Sequence, residues 1–239
     1  MKNLKQLTIV LICLSLTACL NGQFRRTVTG NRNVETKERQ AGEFTGIRVS
    51  TGIDVYLSQG NNHKITVEAD ENLHEYIITE VRNDVLNIYT DANIRSAERK
   101  RVYVTMKDIT SVSTTSAGDV IGETPVRTKS LRLSASSAGN IKLDVFTDRI
   151  RADISSSGDV TLSGETDLLE ATLSSAGDLN AFNLTVREAD VSASSAGDAD
   201  VTVSERLTAR ASSAGDINYR GNPKYVDAHS SSAGGIRRR

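Results

Sequence analysis

Ser194-Ser195-Ala196-Gly197-Asp198 is one spelling of a small polar corner that recurs through the second half of the chain. Aligned on the glycine, the copies fall at Gly118, Gly139, Gly158, Gly177, Gly197, Gly215 and Gly234, at steps of 21, 19, 19, 20, 18 and 19 residues. Such a period marks a repeat architecture, in which each unit is too small to bury its own apolar side and must stack on its neighbours. Six residues before each glycine stand Val112, Leu133, Ala152, Ala171, Val191, Ala209 and Ala228, and four before it Thr114, Ala135, Ile154, Leu173, Ala193, Ala211 and Ser230. Serine stands two before it in every copy, and two after it come Val120, Ile141, Val160, Leu179, Ala199, Ile217 and Ile236. The positions between are polar, Arg132, Asp153, Thr172 and Arg210 among them. This is the period of two that belongs to a strand, running into a corner and out of it. A helix would need apolar spacings of three and four.

The pattern predicts an all-β fold, a parallel β-helix in which each repeat makes one coil and pairs with its equivalent one coil up. Seven coils at about 4.8 Å each give a rod of roughly 34 Å. A β-sandwich or propeller-like array is the alternative, but a four-stranded blade takes about forty residues, twice this period. In the β-helix the corner glycine is expected to supply a positive φ. The serine two before it is expected to face inward and satisfy backbone groups that the bend leaves unpaired.

The first residues carry Lys2 and Lys5, an apolar run over 7–16 and small residues before Cys19, the pattern of an export signal too short to span a membrane. Leu16-Thr17-Ala18-Cys19 resembles the lipobox of bacterial lipoproteins, which implies loss of a signal peptide at 1–18 and lipidation of Cys19. Acyl chains would then hold the protein on a membrane. Cys13 leaves with the signal, so the mature chain has no disulfide or thiolate metal site. Losing Lys2 and Lys5 and no acid moves the formal charge from −1 to −3, which gives no sign of a nucleic-acid partner.

Residues 19–42 are polar, with Arg25, Arg26 and Arg32, and read as a flexible tether. The β-helix domain is assigned to 43–239, with a less regular part at 43–109 and the seven repeats at 110–239. In the less regular part, Ile53, Val55 and Leu57 alternate with Asp54 and Tyr56, and Ile65, Val67 and Ala69 alternate again after a turn at 60–63. Residues 70–77 suit one helical turn, with Asp70 as cap and Leu73 and Ile77 on one face.

Directly after the corner glycines come Asp119, Asn140, Asp159, Asp178, Asp198 and Asp216, with Gly235 in the last copy. Stacked coils place these carboxylates in a file, where neighbours about 4.8 Å apart repel by about 0.9 kcal/mol in water and roughly 3.5 kcal/mol at an effective dielectric of 20. Two arrangements relieve that: bonds from each turn's own amides, or calcium bound along the file. The nine-residue calcium β-roll signature is absent. Polysaccharide-cleaving β-helices, the enzymatic alternative, need paired carboxylates or a base in a cleft with stacking aromatics. Here the acids form a uniform ladder, and Phe146, Phe182, Tyr219 and Tyr225 are all the aromatics in the repeats. His63, His74 and His229 show no ligand spacing, and the loop around Arg99, Lys100 and Arg101 reads as solvated, a weak patch for acidic glycans at best. No phosphate loop, nucleophile elbow or zinc motif is present. The sequence therefore assigns no catalytic residue, metal site or cofactor.

With these residues in view, the chain resembles the auto-transporter adhesin family with a head GIN domain, abundant in Bacteroidetes. The matching pieces are FTGIRVSTGIDVYLSQG at 44–60, ITVEADENLHEYIITEVRNDVLNIYT at 65–90, and the serial S-S-A-G-D corners, with a literal Gly-Asn-Ile at 139–141. The resemblance covers about 43–236 and implies a right-handed parallel β-helix, an envelope or surface location, and adhesion to a glycan or protein ligand, without catalytic residues to carry over. A lipid anchor stands in place of a translocating barrel, so self-export is not expected. Bacteroidetes lipoproteins sent to the surface carry acids just after the cysteine; residues 19–26 have none, which leaves the periplasmic and surface sides of the outer membrane both open. Self-assembly through the coil ends is a further alternative, opposed by Arg237, Arg238 and Arg239 at the last edge.

Overall fold

The computed structural model describes residues 26–239; the expected signal peptide, Cys19 and the first few residues of the polar segment, to residue 25, lie outside the described residues. The fold is a parallel β-solenoid. Two ladders rise side by side, one before the corners and one after them. Before the corners, β7 (Val85–Thr90) pairs with β3 (Gly46–Val49), β3 with β10 (Ser111–Thr114) and β10 with β12 (Val126–Ala135), all parallel. After the corners, β9 (Lys100–Met106) pairs with β4 (Asp54–Gln59), and β4 with β11 (Asp119–Gly122). Four long strands then carry both ladders: β13 (Asn140–Ser155), β14 (Asp159–Ser174), β15 (Asp178–Ala193) and β16 (Asp198–Ala211). The rod finishes on β17 (Asp216–Arg220), β18 (Tyr225–Ser230) and β19 (Gly235–Arg238).

The register explains the apolar pattern. Leu133, Ala152, Ala171, Val191 and Ala209 are register partners up the rod, as are Ala135, Ile154, Leu173, Ala193 and Ala211, and all are buried. From the Gly139 coil to the Gly215 coil, at least one of each such pair is alanine. That keeps the volume beside the corner within what close packing allows. The alternation fails in the last coil, where Ala228 and Ser230 are exposed, as are Tyr225 and Val226, with no coil above them among the described residues.

The N-terminal end is closed by antiparallel strands. β6 (Ile77–Arg82) pairs with β7, and β5 (Lys64–Asp70) with β9. β2 (Val34–Arg39) pairs with β5 over six residues, so this part of the polar segment is a strand of the cap and not a tether. No β2 residue is buried, so its sequence carries no apolar period to announce it. A small parallel pair, β1 (Thr27–Thr29) and β8 (Asn93–Ser96), lies beside it.

The expected helical turn is a 3₁₀ turn at Glu71–Leu73, but Asp70 does not cap it through its side chain. Asp70 is fully buried, and its carboxylate accepts the backbone N–H groups of Arg32 at 2.9 Å, Glu98 at 2.9 Å and Arg99 at 3.1 Å. It thereby ties the segment leading into β2 to the β8–β9 loop. Removing a buried charge acceptor strands its donors, so Asp70→Ala should lower stability by about 3 kcal/mol in denaturant unfolding. A loss below about 1 kcal/mol would contradict this role.

Candidate functional site

The site is built on the corner. In each copy the two residues before the glycine have positive φ: Ser175 and Ala176 at 52° and 58°, Ser195 and Ala196 at 52° and 59°. Gly177 donates its N–H to Ser174 O at 3.1 Å, closing a four-residue turn with two left-handed central residues, a type I′ turn. The serine sits at the exposed tip, not inward. None of the seven glycines has a positive φ, so the expectation that they supply the left-handed conformation is corrected. Their need is proximity: a Cβ on Gly177 would stand 2.9 Å from the carbonyl carbon and oxygen of Ile154 one coil below. A left-handed φ costs a non-glycine residue roughly 1–2 kcal/mol, and the stacking offsets it. Ala176 N–H donates to Ser195 O in the next coil at 3.0 Å, and Asp178 N–H to Gly158 O in the coil before at 2.9 Å. The parallel ladder thus continues through the turn.

An eighth corner lies below the seven. Ser50-Thr51-Gly52-Ile53-Asp54 stacks under the first repeat, with Thr51 and Gly52 at φ 63° and 62° and Gly52 N–H bonded to Ser116 O at 2.9 Å. Its glycine is shifted by one position, so alignment on glycine misses it and alignment on aspartate finds it.

Register partners place Asp54, Asp119, Asn140, Asp159, Asp178, Asp198 and Asp216 in one file. The bonds that relieve charge at Asp119, Asp198 and Asp216 come from neighbouring coils and not from the same turn. Asn140 Nδ2 donates to Asp119 Oδ1 at 2.7 Å, Asp216 N–H to Asp198 Oδ1 at 3.2 Å, and Arg237 Nη1 to Asp216 Oδ2 at 3.1 Å. At the other end, burial and then Asp119 push the Asp54 carboxyl up, while Lys100 and Arg101 pull it down. Burial lowers the Lys100 ammonium, against the pull of Asp54. In the middle, Asp178 is pushed up by partial burial and by Asp159 and Asp198 on either side. The file forms one side of an open groove of about 720 Å³ that also takes in Lys142, Thr161, Asn180, Asp200 and Asn218. Among the described residues, no group of three or more His, Cys, Asp or Glu is placed to hold a metal ion.

The other candidates stay apart. His63 Nε2 lies 2.9 Å from Phe44 O, His74 Nε2 lies 3.1 Å from Glu35 O, and His229 Nε2 is 2.9 Å from Asp227. Three of the four repeat aromatics are covered by arginine: Arg127 over Phe146 at 4.3 Å, Arg220 over Phe182 at 3.9 Å and Arg206 over Tyr225 at 5.0 Å. No helix among the described residues is long and apolar enough to cross a membrane.

The family model described as "Putative auto-transporter adhesin, head GIN domain" matches residues 43–223. This chain belongs to that family. Its fold is shared by a putative adhesin from Bacteroides fragilis, 20% identical, with TM-score 0.84 over 89% of this chain and 100% of that one. It is shared also by a putative lipid binding protein from Parabacteroides distasonis, 22% identical, TM-score 0.73 over 90% of this chain and 100% of that one. A putative adhesin from the same species is 23% identical, with TM-score 0.71 over 89% and 100%. No functionally curated protein matches the sequence.

Two predictions separate the roles at the corner. Gly177→Ala should destabilise the rod by about 1–3 kcal/mol by pushing a methyl group into backbone, whereas Ala176→Gly, one residue earlier, should be neutral or stabilising. Equal losses from both in denaturant unfolding would contradict the assignment. The raised Asp178 carboxyl means that the folded state holds its proton more tightly than the unfolded one, so ionised Asp178 costs stability at neutral pH and the cost fades as pH falls towards the ordinary carboxylate range. Asp178→Asn should raise the melting temperature at pH 7 by up to about 3 °C and have little effect near pH 4. A lowered melting temperature at pH 7 would contradict the reading.

Proposed function

We propose that this protein is a non-catalytic, lipid-anchored binding scaffold of the cell envelope, an adhesin that presents the faces of its rod to a glycan or protein ligand. Cys19 is the lipidation site, 1–18 the removed signal, and the outer membrane the site of attachment. The observation that carries the reading is the uniformity of the corner. Each corner offers nearly the same groups one step further on, and its carboxylates are held in a file where a hydrolase needs a convergent pair. The arginines over Phe146 and Phe182 support it, because those faces are already occupied and do not offer platforms for a sugar ring. Family membership supports adhesion, and the name of one structural relative attaches lipid binding to that relative alone.

The test is to express the full chain and Cys19→Ser in a bacteroidete host, follow incorporation of a labelled fatty acid, and measure retention of the purified protein on immobilised extracellular proteins and polysaccharides. The expected result is labelling and membrane association that Cys19→Ser abolishes, with saturable retention on at least one ligand and no shortening of any polysaccharide. Unlabelled wild-type protein, or release of reducing ends, would overturn the reading.

A further inference from the structure

Some of the cations among the described residues are matched by acids. Lys37 pairs with Glu35, Lys64 with Glu38, Arg82 with Glu80 and Arg210 with Asp190, while Arg187 holds Asp167, Glu188 and Glu205 together. Among the cations with little or no acid partner, one group is gathered closely together, on the ladder that precedes the corners, where β12 meets β13. Arg132 is the register partner of Arg151, and Ser130 that of Arg149. One ladder step, about 4.8 Å, therefore separates the first pair, and Arg149 and Arg151 point the same way two residues apart on one strand. Lys129 stands beside Ser130, and all four cations are exposed. Among the described residues no carboxylate pairs with Lys129, Arg132 or Arg149, and Arg151 has a single long contact, Nε to Asp153 Oδ2 at 3.5 Å. Four like charges on two adjacent coils repel one another, and the fold gives them one acid contact. They line an open groove of about 490 Å³ with the hydroxyls of Thr110, Ser111, Thr128 and Ser130, and one carboxylate, that of Glu170, the register partner of Arg151, stands against the four cations there.

We propose that this groove is a binding site for an acidic polysaccharide, one bearing carboxylate or sulfate groups along a linear chain. The inference rests on the scaffold reading above and deepens it. Guanidinium groups present paired donors to carboxylate and sulfate oxygens, and the hydroxyls supply neutral partners for sugar oxygens. No aromatic residue lines the groove, so recognition works through charge and hydrogen bonding and discriminates acidic chains from neutral ones. A concave groove without apolar side chains at its rim does not suit a bilayer surface, which is bound by inserted apolar and aromatic groups as well as by charge. The acidic groove on the other ladder, with Asp119, Asp159, Asp178, Asp198 and Asp200, repels the same polymer, so the chain is held on one face of the rod.

The experiment measures binding of the purified full-length chain to polygalacturonate, dextran sulfate, neutral dextran and phosphatidylglycerol vesicles. Compared with it are Lys129→Glu/Arg132→Glu/Arg149→Glu and a control of equal charge change, Lys37→Glu/Lys64→Glu/Arg82→Glu. The expected result is binding to the two acidic polymers that weakens about tenfold or more between 50 and 300 mM salt. The groove variant should lose about thirtyfold and the control less than about threefold, with an unchanged melting temperature for the groove variant, no binding to neutral dextran, and vesicle association through the Cys19 acyl chains that the groove substitutions leave unchanged. Polymer binding that survives the groove substitutions would overturn the proposal, and so would vesicle binding that those substitutions abolish. Retention on proteins or neutral glycans that is indifferent to the groove variant would sink the groove and leave the adhesin reading standing. Absence of binding to every ligand would sink both.

Discussion

The structure depends on how closely one corner can approach the next. From Gly139 onward the corner glycine lies against backbone atoms of the coil beneath, near enough that a Cβ on Gly158 would stand 2.6 Å from Ala135 C and O. That contact lets the hydrogen-bond ladder run through the turn without a break, and the ladder in turn holds two left-handed residues that would be unfavourable alone. Serine and alanine suit those two positions because they are small and unbranched at Cβ, where a β-branched residue with positive φ would be a severe outlier. Thr51 in the eighth corner is the exception, and its Oγ1 is used, donating to Ser50 O at 2.6 Å and accepting Thr90 N–H at 2.7 Å.

Strict register has a price on the surface. Side chains at equivalent positions stand one ladder step apart, so like charges are brought together wherever the sequence repeats an acid or a base. The aspartate file is managed by substitution and capping: Asn140 interrupts it and donates to Asp119, and Arg237 closes its C-terminal end. The three terminal arginines, expected to repel a partner across the last edge, instead bond back to their own rod, Arg237 to Asp216, Arg238 to Gly221 O and Arg239 to Asn218. On β12 and β13 Arg132 and Arg149 meet no acid and Arg151 meets one only at 3.5 Å, and their crowding marks the surface proposed for a ligand.

The repeat was legible because a parallel solenoid writes its geometry once per coil, so corner, strand period and core columns could be read at a fixed spacing. The reason for the glycine was not, since positive φ and close approach both select glycine and only coordinates tell them apart. The eighth corner escaped because Ile53 occupies the place of the glycine and remains fully buried there. β2 escaped because an edge strand on a polar face carries no apolar alternation. Asp70 was visible as a capping residue, yet its partners at Arg32, Glu98 and Arg99 lie 28 to 38 residues away. The basic cluster was invisible for the same kind of reason: Arg132 and Arg151 are 19 residues apart and become neighbours only when the period is applied to the outward positions as well as the inward ones.

The most direct test of the stacked corner is amide hydrogen exchange at single-residue resolution. Turn tips on a protein surface ordinarily exchange fast, but here Ala138, Ala176, Ala196 and Ala214 each donate to a serine carbonyl in the coil above, at 3.0 to 3.1 Å. These four amides should be protected to the level of the neighbouring strands, with Ala233 in the last coil exchanging far faster because no coil stacks on it. Uniformly fast exchange at all five would show that the corners are ordinary surface turns and that the ladder stops at the ends of the strands.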